Sequence, residues 1–262
     1  MKNIAFILIL FETIVSSAKG SDTVQYRVSY KTIYSNYSNL CNSDLMVLDI
    51  GKVSSYFYSQ NTKRKKSVLN KINERGNFDM TTIKNEMKNI EPGQEYQIYK
   101  NVPCDGKLTC YDSFLTDAVM YEDSLDTACW TLLDTDTTIC GYPCQRAEIS
   151  IRGRRWNAWY TSEIPINDGP WKLSGLPGLI LAAADESGCY SFECIGIENK
   201  NNEQIDAPTD KYTKCSYKDF IKLYHRFYEN PFSFIGSRID GGAEKLPTVK
   251  TSTSVISIDE KK

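Results

Sequence analysis

The chain has 262 residues, 41% of them hydrophobic and 24% charged, which excludes a globally disordered chain and a collagen-like repeat. Lys and Arg number 31 against 33 Asp and Glu, so there is no overall basic field for nucleic acid. A single histidine excludes any multi-histidine metal site.

Residues 1–20 read as an address. Lys2 gives a basic start, residues 4–10 (IAFILIL) are apolar, and Ser16, Ser17, Ala18 and Gly20 are small. This is the anatomy of a secretory signal peptide, with cleavage expected after Ala18 or Gly20. Glu12 ends the apolar run well short of the roughly 20 residues a membrane span needs. No later segment reaches that length, so no transmembrane span is expected after cleavage. The expected location is the periplasm, the outer membrane or the medium. Residues 21–240 are expected to form one β-rich domain and residues 241–262 a mobile polar tail.

Alternating apolar residues predict strands over 24–34, 45–50 and 54–59. Residues 61–90 carry apolar side chains at spacings of three and four, which predicts two short helices broken near Gly76-Asn77. The basic run 63–66 (KRKK) reads as a solvated helix start. Strands resume over 95–102 and 108–114 around the turn signal Asp105-Gly106. Residues 130–133 read as a strand and Asp134-Thr135-Asp136 as a turn. Those two acids begin like a calcium loop but lack its glycine and closing glutamate. Residues 147–151 and 156–160 read as a hairpin joined by Arg152-Gly153-Arg154-Arg155, and 179–184 and 190–194 as another. Ser216 and Asp219 cap a helix over 217–228 that Asn230-Pro231 stops. The fold class expected is α+β and β-rich, a strongly curved, half-barrel-like antiparallel sheet covered by a few helices.

The nine cysteines agree with an oxidising compartment and leave at least one thiol unbridged. Cys104 and Cys110 flank a turn, as do Cys140 and Cys144, so each pair is a candidate for a local disulfide, with two separate bridges as the alternative for Cys140 and Cys144. His225, the one imidazole, sits beside Tyr224 on the last helix and reads as a solvated or structurally hydrogen-bonded side chain. No catalytic residue, cofactor or metal is assigned, and the protein is expected not to be an enzyme. A thiol-disulfide exchanger using Cys140 and Cys144 is the alternative, although a strand-like run follows them where such enzymes place a helix. Arg152, Arg154, Arg155, Trp156 and Trp159 combine guanidinium and indole groups. Such groups bind anions and apolar bodies by forked hydrogen bonds and stacking. With Trp171 they are the expected ligand-binding residues.

The segment 171–181 (WKLSGLPGLIL) contains the string GLPGLI, and residues 134–148 (DTDTTICGYPCQRAE) and 153–173 extend the pattern. The chain resembles the GLPGLI family of exported bacterial proteins. The resemblance implies export by Gram-negative bacteria and carries no established biochemical role, hence no catalytic residues. Gly175, Leu176, Pro177, Gly178, Leu179 and Ile180 form the structural motif. Pro177-Gly178 is expected to make a type II turn with positive φ at Gly178, and Gly175 to permit close backbone approach. The function expected is that of a non-enzymatic envelope accessory protein holding an apolar ligand or a protein partner. A purely structural envelope protein is a further alternative.

Overall fold

The computed structural model describes residues 21–35, 41–76, 79–114, 117–125, 129–209 and 211–229. The expected signal peptide, the Asn230-Pro231 stop, the tail and residue Asn77 of the helix break lie outside them. In chain order the elements are β1 (Asp22–Thr23), β2 (Tyr26–Ser35), β3 (Cys41–Ile50), β4 (Ser55–Ser59), α1 (Gln60–Glu74), α2 (Met80–Met87) and β5 (Gln97–Lys100). There follow β6 (Lys107–Phe114), β7 (Asp117–Ser124), β8 (Thr131–Ile139), β9 (Tyr142–Ile151), β10 (Arg154–Thr161) and β11 (Leu179–Asp185). The chain continues with β12 (Tyr190–Asn199), β13 (Gln204–Ile205), β14 (Thr213–Lys214) and α3 (Tyr217–Glu229).

Twelve strands form one sheet in the order β14-β7-β6-β5-β4-β3-β2-β12-β11-β10-β9-β8, and β1 pairs with β13 apart from it. Every pairing in the large sheet is antiparallel except β14 with β7. The fold is thus β-rich α+β with a large antiparallel sheet. The sheet is open, with β8 and β14 as its edges.

Period-2 alternation gives the sheet two different faces. One face carries the main core: Tyr30, Met46, Leu48, Phe57, Ile98 and Phe192 from the middle strands, and Ala147, Ile149, Trp156 and Ala158 from β9 and β10. The segment 162–178 and α3 cover it; Phe220 of α3 packs on Tyr121 of β7 at 4.7 Å between ring centres. The other face holds a smaller cluster of Val24, Tyr99, Val102, Tyr111 and Ile205.

The helix ends follow their capping residues. Ser59 Oγ accepts from the Thr62 amide at 3.1 Å and starts α1. Ser216 Oγ accepts from the Asp219 amide at 3.1 Å and donates to the Asp219 carboxylate at 2.7 Å. The basic run opens α1, where Lys63, Arg64 and Lys65 are exposed. Two readings need correction. Strand β7 lies in a stretch not assigned to any element. Residues 134–136 lie inside β8, which passes through them with a register shift between Leu133 and Asp136. The shift absorbs the extra residues without a turn. Because β8 is a solvated edge, it lacks the apolar alternation that marks an interior strand.

No two cysteines stand at disulfide distance. The reason is where the turns fall. The β8–β9 turn is Cys140-Gly141 itself, at φ 50° and 84°. Cys144 is therefore already in β9, opposite Thr137. Cys110 is paired with Ile98 inside β6. The strand rise of about 3.3 Å per residue carries it away from the loop holding Cys104.

Candidate functional site

The β9–β10 hairpin separates the three arginines. Only Arg152 and Gly153 form the turn, at φ 50° and 77°, the two left-handed positions a type I′ turn requires. Arg154 and Arg155 belong to β10 and point to opposite faces. Arg154 is 2% exposed, forms an ion pair with the buried Asp185 and lies 5.0 Å from the centre of the Tyr190 ring. Arg155 is exposed and faces Glu186 at 3.5 Å. Trp156 is fully buried, 5.2 Å from Trp171 and 6.0 Å from Phe192. Trp159 is half-buried at the margin of the core. Of the six residues expected to bind a ligand, the structure thus takes Arg154, Trp156 and Trp171 out of direct reach of solvent. Their size and polarity serve the interior: indoles fill the core, and a guanidinium there must be paired.

The motif segment 162–178 crosses the main face without joining the sheet. Leu176, Leu179 and Ile180 are buried, and Tyr30 donates its hydroxyl proton to the Ile180 carbonyl at 2.7 Å. The two glycines exchange their expected roles. Gly175 takes the positive φ, 99°. Gly178 provides the close approach, since a Cβ there would lie 2.1 Å from the Thr161 carbonyl oxygen. The turn centres on Pro177, across which the Gly178 amide donates to the Leu176 carbonyl at 2.8 Å. That is a three-residue γ-turn where a type II turn was expected.

One lysine fixes the segment. Ile98 and Lys100 share a face of β5, so Lys100 points into the core. Its ammonium donates to Asp168 Oδ1 at 2.5 Å and to the Gly169 and Leu173 carbonyls at 2.9 Å each. Its three donors are thereby used, as burial demands. Asn167 accepts from the Gly175 amide, and Trp130 donates its indole N–H to the Ser174 carbonyl at 2.8 Å.

Two neighbouring cavities open where this segment meets the sheet. The first, about 370 Å³, lies over Ser55, Lys100, Asn101 and Asp168. The second, about 390 Å³, is lined by Leu108, Ile149, Ile151, Arg152 and Lys172 with Asp123 at its side. Leu125 and Ser174 line both, so the two form one cleft. Each falls in the volume range of small-molecule sites, about 300–1,000 Å³. At the second cavity Arg152 pairs with Asp123 and stacks 3.5 Å from the centre of the Tyr217 ring. Lys172 donates to the Tyr121 hydroxyl at 2.6 Å and lies 5.2 Å from the Trp171 ring centre. Among the described lining residues of this cavity, two cations face one carboxylate.

Sequence reading missed Lys100, Asp123, Asp168, Lys172 and Tyr121. A signal existed for one of them: Lys100 stands two residues after Ile98 in a strand, where alternation points it inward. Among the described residues no group of three His, Cys, Asp or Glu is placed to hold a metal ion.

This hairpin and motif are also where a family model meets the chain. Residues 145–182 match the model of a family described as a protein of unknown function, Porph_ging. The matched stretch runs from β9 through the motif into β11. Two solved structures of PNGF-II, in space groups P21 and C2, align at 13% and 14% identity with TM-scores of 0.49 and 0.48. Each alignment covers 76% of this chain but only 33% and 32% of theirs, so the chain spans about a third of their length. No curated protein matches.

Proposed function

We propose that the protein is an exported GLPGLI-family protein of the cell envelope and a non-enzymatic binder whose ligand site is the cleft beneath segment 162–178. The observation that carries this reading is the second cavity, with Leu108, Ile149 and Ile151 beside Arg152 and Lys172. An apolar wall with a cationic rim fits a ligand with an apolar body and one anionic group, held by burial and by charge-assisted hydrogen bonds. The string GLPGLI at 175–180 inside the matched stretch supports the family assignment.

The reading includes a sheet bent into a half-barrel. Support comes from the Arg152–Asp123 pair. Asp123 is on β7, and the turn holding Arg152 joins β9 to β10, nine and eight places away in the sheet order. A flat sheet at about 4.8 Å per strand would put them roughly 40 Å apart. Bending brings the two wings together over segment 162–178 and encloses the cleft.

The test is displacement of a fluorescent long-chain fatty acid from the full chain. Binding is expected, with at least a ten-fold loss in R152A/K172A and weaker competition by the corresponding fatty alcohol. Equal competition by acid and alcohol would remove the cationic rim from the reading. No binding, together with no retained cargo in native mass spectra of protein taken from its own envelope, would favour the purely structural role.

A further inference from the structure

Outside the cleft, three cysteines draw together where the β8–β9 turn meets β12. Cys140 occupies the first position of that turn at φ 50°, followed by Gly141 at 84°. Asn or Asp is the ordinary residue at such a left-handed position, and a side chain without local hydrogen bonding is disfavoured there. Cys140 is nevertheless aimed at a partner. Its thiol donates to the Cys194 carbonyl at 3.0 Å, and its Sγ stands 3.6 Å from Cys194 Sγ. Cys194 is 3% exposed and lies at a bulge of β12, where pairing with β2 shifts register between Cys194 and Gly196. Bulges re-aim side chains, and this one sets the buried sulfur beneath the exposed turn. The third thiol, Cys144, is directed elsewhere, donating to the Tyr142 carbonyl at 3.4 Å.

We propose that Cys140 and Cys194 are an oxidation site. They form a disulfide that pins the edge hairpin β8–β9 to the central strand β12. The sulfurs need approach by only about 1.5 Å to reach bonding length, a movement within the reach of an exposed two-residue turn. A neutral disulfide also suits the burial of Cys194. A dithiolate binding a soft metal would bury two charges. Burial, followed by the hydrogen bond with Cys140, pushes the Cys194 thiol up to about 12, against the thiolate a metal would need.

The oxidant is a small-molecule disulfide, RSSR. The solvent-accessible Cys140 loses its proton to solvent and attacks one sulfur of RSSR. This forms Cys140–S–S–R and releases RS⁻. Cys194 then loses its proton, attacks the Cys140 sulfur and expels the second RS⁻. The two protons end on two RSH. The protein dithiol is oxidised by two electrons and RSSR is reduced by two. Accessibility fixes the order, because the buried Cys194 cannot meet RSSR first.

The experiment uses the full chain incubated with oxidised glutathione, peptide mapping by mass spectrometry without reduction, and thermal melts. A crosslinked peptide pair joining 140 to 194 is expected. With 54 residues of separation, the bridge should raise Tm by about 10 °C over the reduced protein. C144S should keep both the crosslink and the shift. C140S, an exposed substitution that leaves the fold intact, should lose both. A link between 140 and 144, a link between 144 and 194, a lasting glutathione adduct on Cys140, or no crosslink would each overturn the proposal.

Discussion

The two faces of the large sheet handle charge in opposite ways. On the main face charge is internal. Arg154 meets Asp185, and Lys100 meets Asp168 with two carbonyls, all among indoles and aliphatic side chains. On the other face charge is shared with solvent. Arg27 bridges the buried Asp49 at 2.7 Å and the half-exposed Glu203 at 2.7 Å, and Tyr58 donates to Asp49 at 3.0 Å. Stacked Tyr56, Tyr58 and Tyr99 replace the indoles there, with Lys63 lying 4.4 Å over the Tyr58 ring. The main face uses ion pairs to fix position, because a buried pair tolerates no misplacement. The other face uses them as a rim at the solvent boundary, with Glu203 half-exposed.

The comparison breaks most sharply at Asp185→Ala. It leaves Arg154 charged in the core and should cost about 3–5 kcal/mol, read by chemical denaturation. Lys100→Met keeps the volume but abandons Asp168 and two carbonyls. A loss of about 3 kcal/mol is expected, with segment 162–178 losing hydrogen-exchange protection first. Gly178→Ala pushes a methyl group into the Thr161 carbonyl and should cost about 2 kcal/mol. Gly175→Ala should cost about 1 kcal/mol through its φ alone. At the rim of the cleft Arg152→Ala should cost under about 1 kcal/mol while weakening capture of the fatty-acid probe.

The smallest effect sharpens the contrast by pH. The Arg27 hydrogen bond, outweighing partial burial, holds the Glu203 carboxyl below the usual glutamate range. Its contribution to stability is therefore complete above that range and lost as pH falls through the lowered value. Glu203→Gln should flatten that part of the acid limb in denaturation midpoints measured against pH. An unchanged limb would place the lability elsewhere.

What the sequence disclosed follows the same division. Strands with an apolar side toward the main core were legible: residues 54–59, 108–114, 147–151, 156–160 and 179–184 fall within or nearly on β4, β6, β9, β10 and β11. So was α3, whose cap and spacing act locally. The edge strand β8 was read as a short strand and a turn, since solvent on both sides removes alternation. Trp156, Trp171 and Arg154 were read as surface recognition groups because indole and guanidinium look alike in sequence whether they face a ligand or a core. Register decides between the two, and the β9–β10 turn is two residues shorter than the RGRR string suggests, which puts Arg154 in β10 on the face of Trp156. The cleft draws on residues 50–55, 100–108, 123–125 and 129, 149–152 and 166–175. No local pattern reports an assembly of segments so far apart in the chain.

The seam between β2 and β12 has a consequence for biogenesis. It pairs residues 26–34 with residues 190–199 at the middle of the sheet. Strands β2 to β7 emerge from the ribosome early, yet the free flank of β2 must wait for more than half the chain before its neighbour exists. During that wait it is an unpaired β edge, the structure most prone to join another polypeptide. Slowing synthesis between β7 and β12 should therefore lower the yield of folded protein.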